Sequence, residues 1–342
     1  MANSLVTWWN GKKKKELKTF TYSGIKNNRK TKYRKFIKIC RMTQPQLKRY
    51  LTDVLRSAGY DPIVEDGFVY AKGSLPVLLT AHMDTVHEQD MRDFYEDVRE
   101  DGKHVLSSPQ GIGGDDRCGI YMIYKIITKT EMRPSILFCE DEEIGGIGSD
   151  KFCRSKYSME LDDMKFLIEL DRTNGNDAVF YNCDNTEFTD FIITETGYKE
   201  AWGSFSDISN LSPECGVASV NLSCGYYGAH TLGEYVVMEE MENTIEVVKH
   251  LLNKAQTDEV KQFEYIEAYD DWGWNYGYGY KTQKQTFVIL WEDKGVECET
   301  KYSADCEEFA LYQFFVDNPT VCYNDVLAVY EEWNYEKNYA SY

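Results

Sequence analysis

The 342-residue sequence predicts an α/β fold of three layers, α/β/α, around a mostly parallel mixed central sheet, with a small α+β appendage at the C-terminal end. Three observations predict it. Four short apolar runs, LPVLL (Leu75 to Leu79), SILFC (Ser135 to Cys139), KFLIEL (Lys165 to Leu170) and VASVNLSC (Val217 to Cys224), read as buried strands. Segments with helical spacing, GIYMIYKIITK and MEEMENTIEVVKHLLNKA, alternate with them. Each run also leads into a residue that can bind a metal: His82, the acids of EDEEIGGIG, Asp171 and, further along, His230. Ligands of open α/β sheets sit beyond the carboxyl ends of the strands, so four such ends agree where one would mean little.

Taken in order, residues 1–42 form a basic leader without a clear element. Thr43 is a suitable N-cap, with Pro45 in the first turn, for a helix that places Leu47, Tyr50, Leu51, Val54 and Leu55 on one face and stops at Gly59. PIVEDGFVYAKG reads as a hairpin around Asp66-Gly67. The α/β body is expected over residues 43–257. The Gly- and aromatic-rich stretch 258–284, with its run from Trp272 to Tyr280, reads as a linker or loop, and that run could cover a site as a lid. In the appendage, 285–342, TFVILWEDKGVECETKY predicts a hairpin turning at Asp293–Gly295. SADCEEFALYQFFVDNP and VCYNDVLAVYEEW then read as two helices, capped by Ser303 and Asn324.

Composition is that of an ordinary globular protein, 42% hydrophobic and 28% charged. No window approaches 18 uninterrupted apolar residues, and the N-terminal stretch lacks an apolar core behind its basic residues, so neither a membrane span nor a secretory signal is expected. Ten cysteines without a CxxC pair or regular framework read as reduced thiols of a cytoplasmic protein, with Cys118 and Cys139 as packing residues. The net charge of −19 is unevenly spread: residues 1–50 carry +14 and the remainder −33. Lys12 to Lys15 invite a nucleic-acid reading, but a body at −33 repels phosphate backbones and no nucleic-acid motif appears, so a solvated or intramolecularly docked basic segment is expected.

The candidates for chemistry are His82 and Asp84 in TAHMDTV, Asp115 and Asp116 in GGDDRCG, Glu142 and Glu143 in EDEEIGG, Asp171 in ELDR, and His230 in GAHTLGE. Singly, each passes as a structural histidine, a solvated acidic loop or a turn. Together, two imidazoles and three carboxylates suit a pair of divalent ions sharing one carboxylate. That donor set fits Zn²⁺, with Mn²⁺ or Co²⁺ possible because oxygen donors dominate. Two ions ~4 Å apart can hold a hydroxide and stabilise a hydrolytic displacement, and the reaction also needs a base that is not a ligand. The Glu142-Glu143 doublet offers one carboxylate for each job.

These motifs, in this order, resemble the co-catalytic zinc exopeptidases: peptidase T, the carboxypeptidase G and desuccinylase group, and the glutamyl and leucyl aminopeptidases. The resemblance covers roughly Thr43 to Ala255. It implies that His82 and Asp171 bind one ion, Glu143 and His230 the other, and Asp115 both. It implies Glu142 as general base, Asp84 as hydrogen-bond acceptor fixing the His82 tautomer, and Asp116 as a support of the ligands. Only 59 positions separate Asp171 from His230, and only 33 separate His82 from Asp115, so neither of the inserted domains found in parts of this superfamily has room. A minimal catalytic core remains, whose motif wording leans toward peptidase T. GSFSDIS resembles the substrate-side loop of these enzymes, where Asp207 would meet an α-amino group, with a plain turn as the equal alternative. Arg172, next to Asp171, reads first as a structural salt bridge and second as the partner of a substrate carboxylate.

The reading is therefore a metal-dependent exopeptidase for short peptides, foremost an aminopeptidase. An N-acyl amino acid deacylase or carboxypeptidase on the same scaffold, and a non-catalytic metal-binding regulatory protein, stand as alternatives. No oligomeric state follows.

Overall fold

The computed structural model describes residues 24–87, 89–268, 285–293, 296–304, 310, 313–314, 317–318, 321 and 326–331. The chain divides into two compact units, Gly24–Gly279 and a second that holds the stretch from Tyr280 onward. The Lys12–Lys15 run, the Trp272–Tyr280 run and the proposed cap Asn324 lie outside the described residues.

The larger unit begins with β1 (Ile25–Lys26), α1 (Arg34–Cys40), α2 (Gln44–Ser57), β2 (Ile63–Glu65), β3 (Phe68–Ala71) and β4 (Leu75–His82). It continues through β5 (Tyr95–Val98), β6 (His104–Ser107), α3 (Gly114–Lys129), β7 (Pro134–Cys139), α4 (Ile147–Cys153) and β8 (Phe166–Arg172). The remainder is β9 (Asp177–Val179), α5 (Thr186–Thr196), β10 (Lys199–Ala201), α6 (Asp207–Cys215), β11 (Ser219–Ser223), β12 (Tyr226–Tyr227), β13 (Tyr235–Val237) and α7 (Met238–Ala255). Eight strands form one sheet in the order β10-β9-β11-β8-β4-β7-β3-β2. Its centre is parallel: β11 with β8, β8 with β4, and β4 with β7. The hairpin β2-β3 closes one edge antiparallel, turning at Asp66-Gly67 as the sequence suggests.

The alternation of side chains along these strands makes the three layers. Val77, Leu79, Ile136, Phe138, Phe166 and Ile168 point into one fully buried core, against α1, α2, α3, α5 and α7. Leu78, Leu137, Cys139 and Leu167 point into a second core, against α4 and α6. Strands buried on both faces carry the continuous apolar runs that parallel sheets require. The expected class, α/β with a mixed central sheet, is what the chain adopts.

Three features depart from the sequence reading. The leader, left without a clear element, contains a docked helix: in α1, Phe36 and Ile39 are completely buried in the larger core, and Tyr33 just before it is 1% exposed. Alternation of Lys and Arg with these residues disguised an amphipathic helix as a basic tail. A second, five-stranded antiparallel sheet, β1-β5-β6-β13-β12, was not foreseen, because its strands are two to four residues long, too short to show a period. In the smaller unit, β14 (Gln285–Asp293) and β15 (Val296–Ala304) form the expected hairpin, so Ser303 lies in a strand and not at a helix cap. Residues Val326–Glu331, read as helix, form β16 and pair antiparallel with β14. The run VLAVY is β-branched and apolar enough to complete a sheet, and that pairing outweighs its helical spacing. Phe287, Ile289, Ala310 and Phe314 make this unit's core, with Trp291 edge-on to Phe314.

Candidate metal centre

The four central strands β11, β8, β4 and β7 are neighbours and point the same way, so their carboxyl ends share one edge of the sheet. His82 is the last residue of β4; Asp171 is the penultimate residue of β8; Glu142 and Glu143 follow β7 by three and four residues. The chain leaving β11 turns through β12 and brings back His230, in a left-handed conformation at φ 62°. Asp115 arrives from the glycine-rich loop before α3, whose regular helix starts only after Asp115 and Asp116. The peptide bond between these two aspartates is cis.

Asp115 stands between the two imidazoles. Its Oδ1 lies 3.0 Å from His82 Nε2, and its Oδ2 lies 3.2 Å from His230 Nε2. His82 Nε2 also faces Asp171 Oδ1 at 3.5 Å, and His230 Nε2 faces Glu143 Oε2 at 3.0 Å. Two half-sites result, His82/Asp171 and Glu143/His230, joined by one carboxylate. Glu142 Oε2 comes within 4.0 Å of His82 Nε2 without a hydrogen bond to it.

The other ring nitrogen of His82 is fixed by Asp84, whose Oδ1 is 3.1 Å from Nδ1. Asp84 also accepts hydrogen bonds from the backbone N–H of Glu142 and of Glu143, each at 3.0 Å. One carboxylate thus orients a candidate ligand, His82, and the backbone of the glutamate doublet. Asp116 is fully buried and accepts from the backbone N–H of His82 and Gly119, so it supports β4 at its end. Asp171 accepts from the Tyr226 hydroxyl at Oδ1 and from the Ser206 hydroxyl at Oδ2, and Asn221 accepts from its backbone N–H.

Electrostatics follow from burial. His82 has no exposed surface; burial alone would lower its pKa, but Asp171, Asp115 and Asp84 together hold it well above the usual histidine range. Burial raises Asp171 to about 7, helped by the neighbouring charge of Asp115. Burial also drives Glu142 well above the carboxylate range, with Asp171 and Glu143 adding to it and His82 opposing. Asp115 goes the other way, because the two imidazoles outweigh its burial. Several carboxylates crowd one dry space, an arrangement that bound cations would balance.

The donor set suits divalent ions. Two groups, His82–Asp116–Asp171 and His82–Asp115–Glu143, place one candidate ligand atom from each residue within 4.8 Å of one another. Glu143 Oε1 is buried without a hydrogen-bond partner, an acceptor that a cation would satisfy. Mixed imidazole and carboxylate ligation is that of Zn²⁺ and its neighbours.

Asp207 opens α6 and is fully buried, with neither carboxylate oxygen hydrogen-bonded. The arrangement gives it no exposed surface toward a substrate. Glu169, two residues before Asp171 on β8, is equally buried and accepts a very short hydrogen bond from the Ser206 hydroxyl. Arg172 forms no ion pair among the described residues, and its Nε is buried without a partner. Sequence reasoning passed over Glu234 and His87. Glu234 ends the GAHTLGE motif, and its position four residues beyond His230 was the available signal.

No family model matches the chain, and no curated protein matches it. Solved structures do. An aminopeptidase, PepT, from Bacillus cereus is 14% identical with a TM-score of 0.52, over 66% of this chain and 98% of that one. A tripeptidase from Staphylococcus aureus is 14% identical with a TM-score of 0.53 over the same shares. At this identity the likeness is one of fold: the larger unit shares the α/β architecture of these peptidases. The resemblance to the exopeptidase superfamily carried by the sequence motifs is met at the level of the fold.

Proposed function

We propose that this chain is a metal-dependent exopeptidase, foremost an aminopeptidase acting on short peptides. The observation that carries the reading is the Asp115 carboxylate, set between two imidazoles that each have a carboxylate of their own. In this reading His82 and Asp171 hold one divalent ion, Glu143 and His230 a second, and Asp115 both. Zn²⁺ is the first choice, Mn²⁺ and Co²⁺ the next. The ions would polarise the scissile carbonyl and acidify the attacking water.

The chain's own residues do the rest. With an ion bound, Asp84 would keep the proton of His82 on Nδ1 and leave the Nε2 lone pair for the metal. The same carboxylate holds the backbone of Glu142 and Glu143. Glu142 takes a proton from the attacking water and passes it to the leaving amine; its dry surroundings raise its affinity for that proton. A free α-amino group is cationic, and the strongly negative body draws it in. Eight of the ten cysteines are among the described residues and all are free thiols, which suits a cytoplasmic protein.

The test is Glu142→Gln. Zn²⁺ content should stay at the wild-type value while kcat/KM on a dipeptide falls roughly 10²- to 10⁴-fold. Undiminished hydrolysis by this variant would remove Glu142 from the mechanism. A dipeptide panel in free and N-acetylated forms sets the class. Cleavage of the free-amine forms alone is expected, and cleavage of the acetylated forms alone would make it a deacylase.

A further inference from the structure

We infer that Glu234, together with His87, is a clamp that positions the shared carboxylate and thereby decides whether the centre holds two ions or one. The inference rests on the two-ion reading above and deepens it.

Glu234 has no exposed surface, and among the described residues the hydrogen bonds of its carboxylate reach segments that bear a candidate ligand. Its Oε1 accepts from the backbone N–H of Asp115 at 2.9 Å. Its Oε2 accepts from the backbone N–H of Gly113 at 2.9 Å and faces His87 Nε2 at 2.8 Å. Glu234 itself belongs to the turn that follows His230, closed by its N–H donating to the Thr231 carbonyl. His87 lies five residues beyond His82. One buried carboxylate therefore ties together the segment after His82, the segment that carries Asp115, and the segment that carries His230.

The loop it holds could not hold itself. Asp115 is preceded by Gly-Ile-Gly-Gly, and Gly111 and Gly113 sit at φ 81° and 62°, where L side chains are strained. Glycines give the loop the conformation it needs and no rigidity of its own. Nor is there slack around the clamp. A Cβ on Gly111 would lie 2.2 Å from His87 Nδ1, and one on Gly114 would lie 3.0 Å from Glu234 Oε1. Three donors on one carboxylate fix the main chain on both sides of Gly114, and with it the direction of the Asp115 side chain. Among the described residues, Asp115 reaches both imidazoles, one with each carboxylate oxygen. Misplacing it by a fraction of an ångström leaves each half-site with its own imidazole and carboxylate but breaks the link between them.

Glu234 is therefore a positioning residue: its carboxylate is taken up by Gly113, Asp115 and His87 and acts through Asp115. Its substitution should change the second binding event more than the first. In Glu234→Gln the carboxamide oxygen can keep two donors at most, and its N–H₂ group confronts the third. The experiment is a titration of the metal-free protein with Zn²⁺ by calorimetry, with bound metal counted by mass spectrometry and melting of the metal-free form recorded alongside. Wild type should take two ions. Glu234→Gln should keep its first affinity within about threefold and lose roughly 10- to 100-fold on the second, the size expected for an outer partner of a ligand. Its kcat at limiting Zn²⁺ should fall with KM unchanged, and excess Zn²⁺ should restore it.

His87→Gln, which leaves both backbone bonds to Glu234 in place, should show the same asymmetry at a smaller size, and it serves if the first variant does not fold. Two ions bound with wild-type affinities by both variants would overturn the clamp and leave the two-ion reading standing. Equal weakening of both ions would reduce Glu234 to a general structural residue and overturn it too. Fewer than two ions in wild type would overturn the two-ion reading, and the clamp with it.

Discussion

Replacing Asp84 with asparagine isolates one carboxylate that serves three partners. Its side chain is 14% exposed, so water cannot take over its bonds. Oδ1 serves His82 Nδ1 and the Glu142 N–H; Oδ2 serves the Glu143 N–H. With the amide oxygen placed at Oδ1, two bonds survive but lose their charge, about half their strength, or ~1 kcal/mol each. The amide nitrogen then meets the Glu143 N–H, where a lost bond and an unsatisfied donor cost ~1–3 kcal/mol. The flipped amide does worse, since two donors then face nitrogen. The variant should be less stable by about 3–5 kcal/mol, read from urea unfolding of the metal-free protein. Its kcat/KM on a dipeptide should drop roughly 10- to 100-fold through misorientation of His82 and the glutamate doublet. A loss of stability below ~0.5 kcal/mol would mean that these bonds are not made in solution, and the argument for Asp84 as the joint between β4 and the segment after β7 would fall.

Three further outcomes follow from packing. Phe36→Ala empties a wholly buried position in α1 and should cost ~3–5 kcal/mol in the same unfolding assay; a loss under 1 kcal/mol would return this helix to a dispensable leader. Gly119→Ala would set a methyl group 1.9 Å from the Leu170 carbonyl and 2.7 Å from both Asp116 oxygens, forcing α3 off β8. It should cost at least ~2 kcal/mol and shift Asp171, so the melting temperature and activity should fall together. Burial holds the thiols of Cys118, Cys139 and Cys224 well above their usual pKa and those of Cys153 and Cys215 at about 12. Thiolate is the reactive form, so iodoacetamide at pH 8 should leave these five unlabelled until the protein unfolds, as peptide mass spectrometry would report.

The parallel centre of the fold was legible because its strands are buried on both faces and must be apolar throughout; LPVLL and KFLIEL could be little else. The ligand candidates were legible for a related reason. Histidine and acid at the exit of a buried strand stand against a background that excludes them, and the structure brings His82, Asp115, Glu143, Asp171 and His230 together. What escaped notice depends on partners far along the chain. Glu234 looks like any loop acid until Gly113, Asp115 and His87 converge on it from more than a hundred residues away. The strands β5, β6 and β13 are too short to carry a pattern, and they exist because they pair with one another. Asp207 shows what a motif leaves out: the sequence placed it near the substrate or in a plain turn, and its complete burial at the start of α6 depends on packing that no local pattern reveals.

The order of the central strands also has a consequence in time. β4 pairs with β7 and β8, and β8 pairs with β11, so the edge that gathers these side chains closes only when segments some 150 residues apart have met. Parallel pairing of this range is slow, and His230 is the last of the set to leave the ribosome. Up to that moment a growing chain carries scattered donors with no shared geometry. Tight uptake of metal would then coincide with completion of the sheet, and the appearance of bound ion during refolding would serve as a clock for assembly of the whole larger unit.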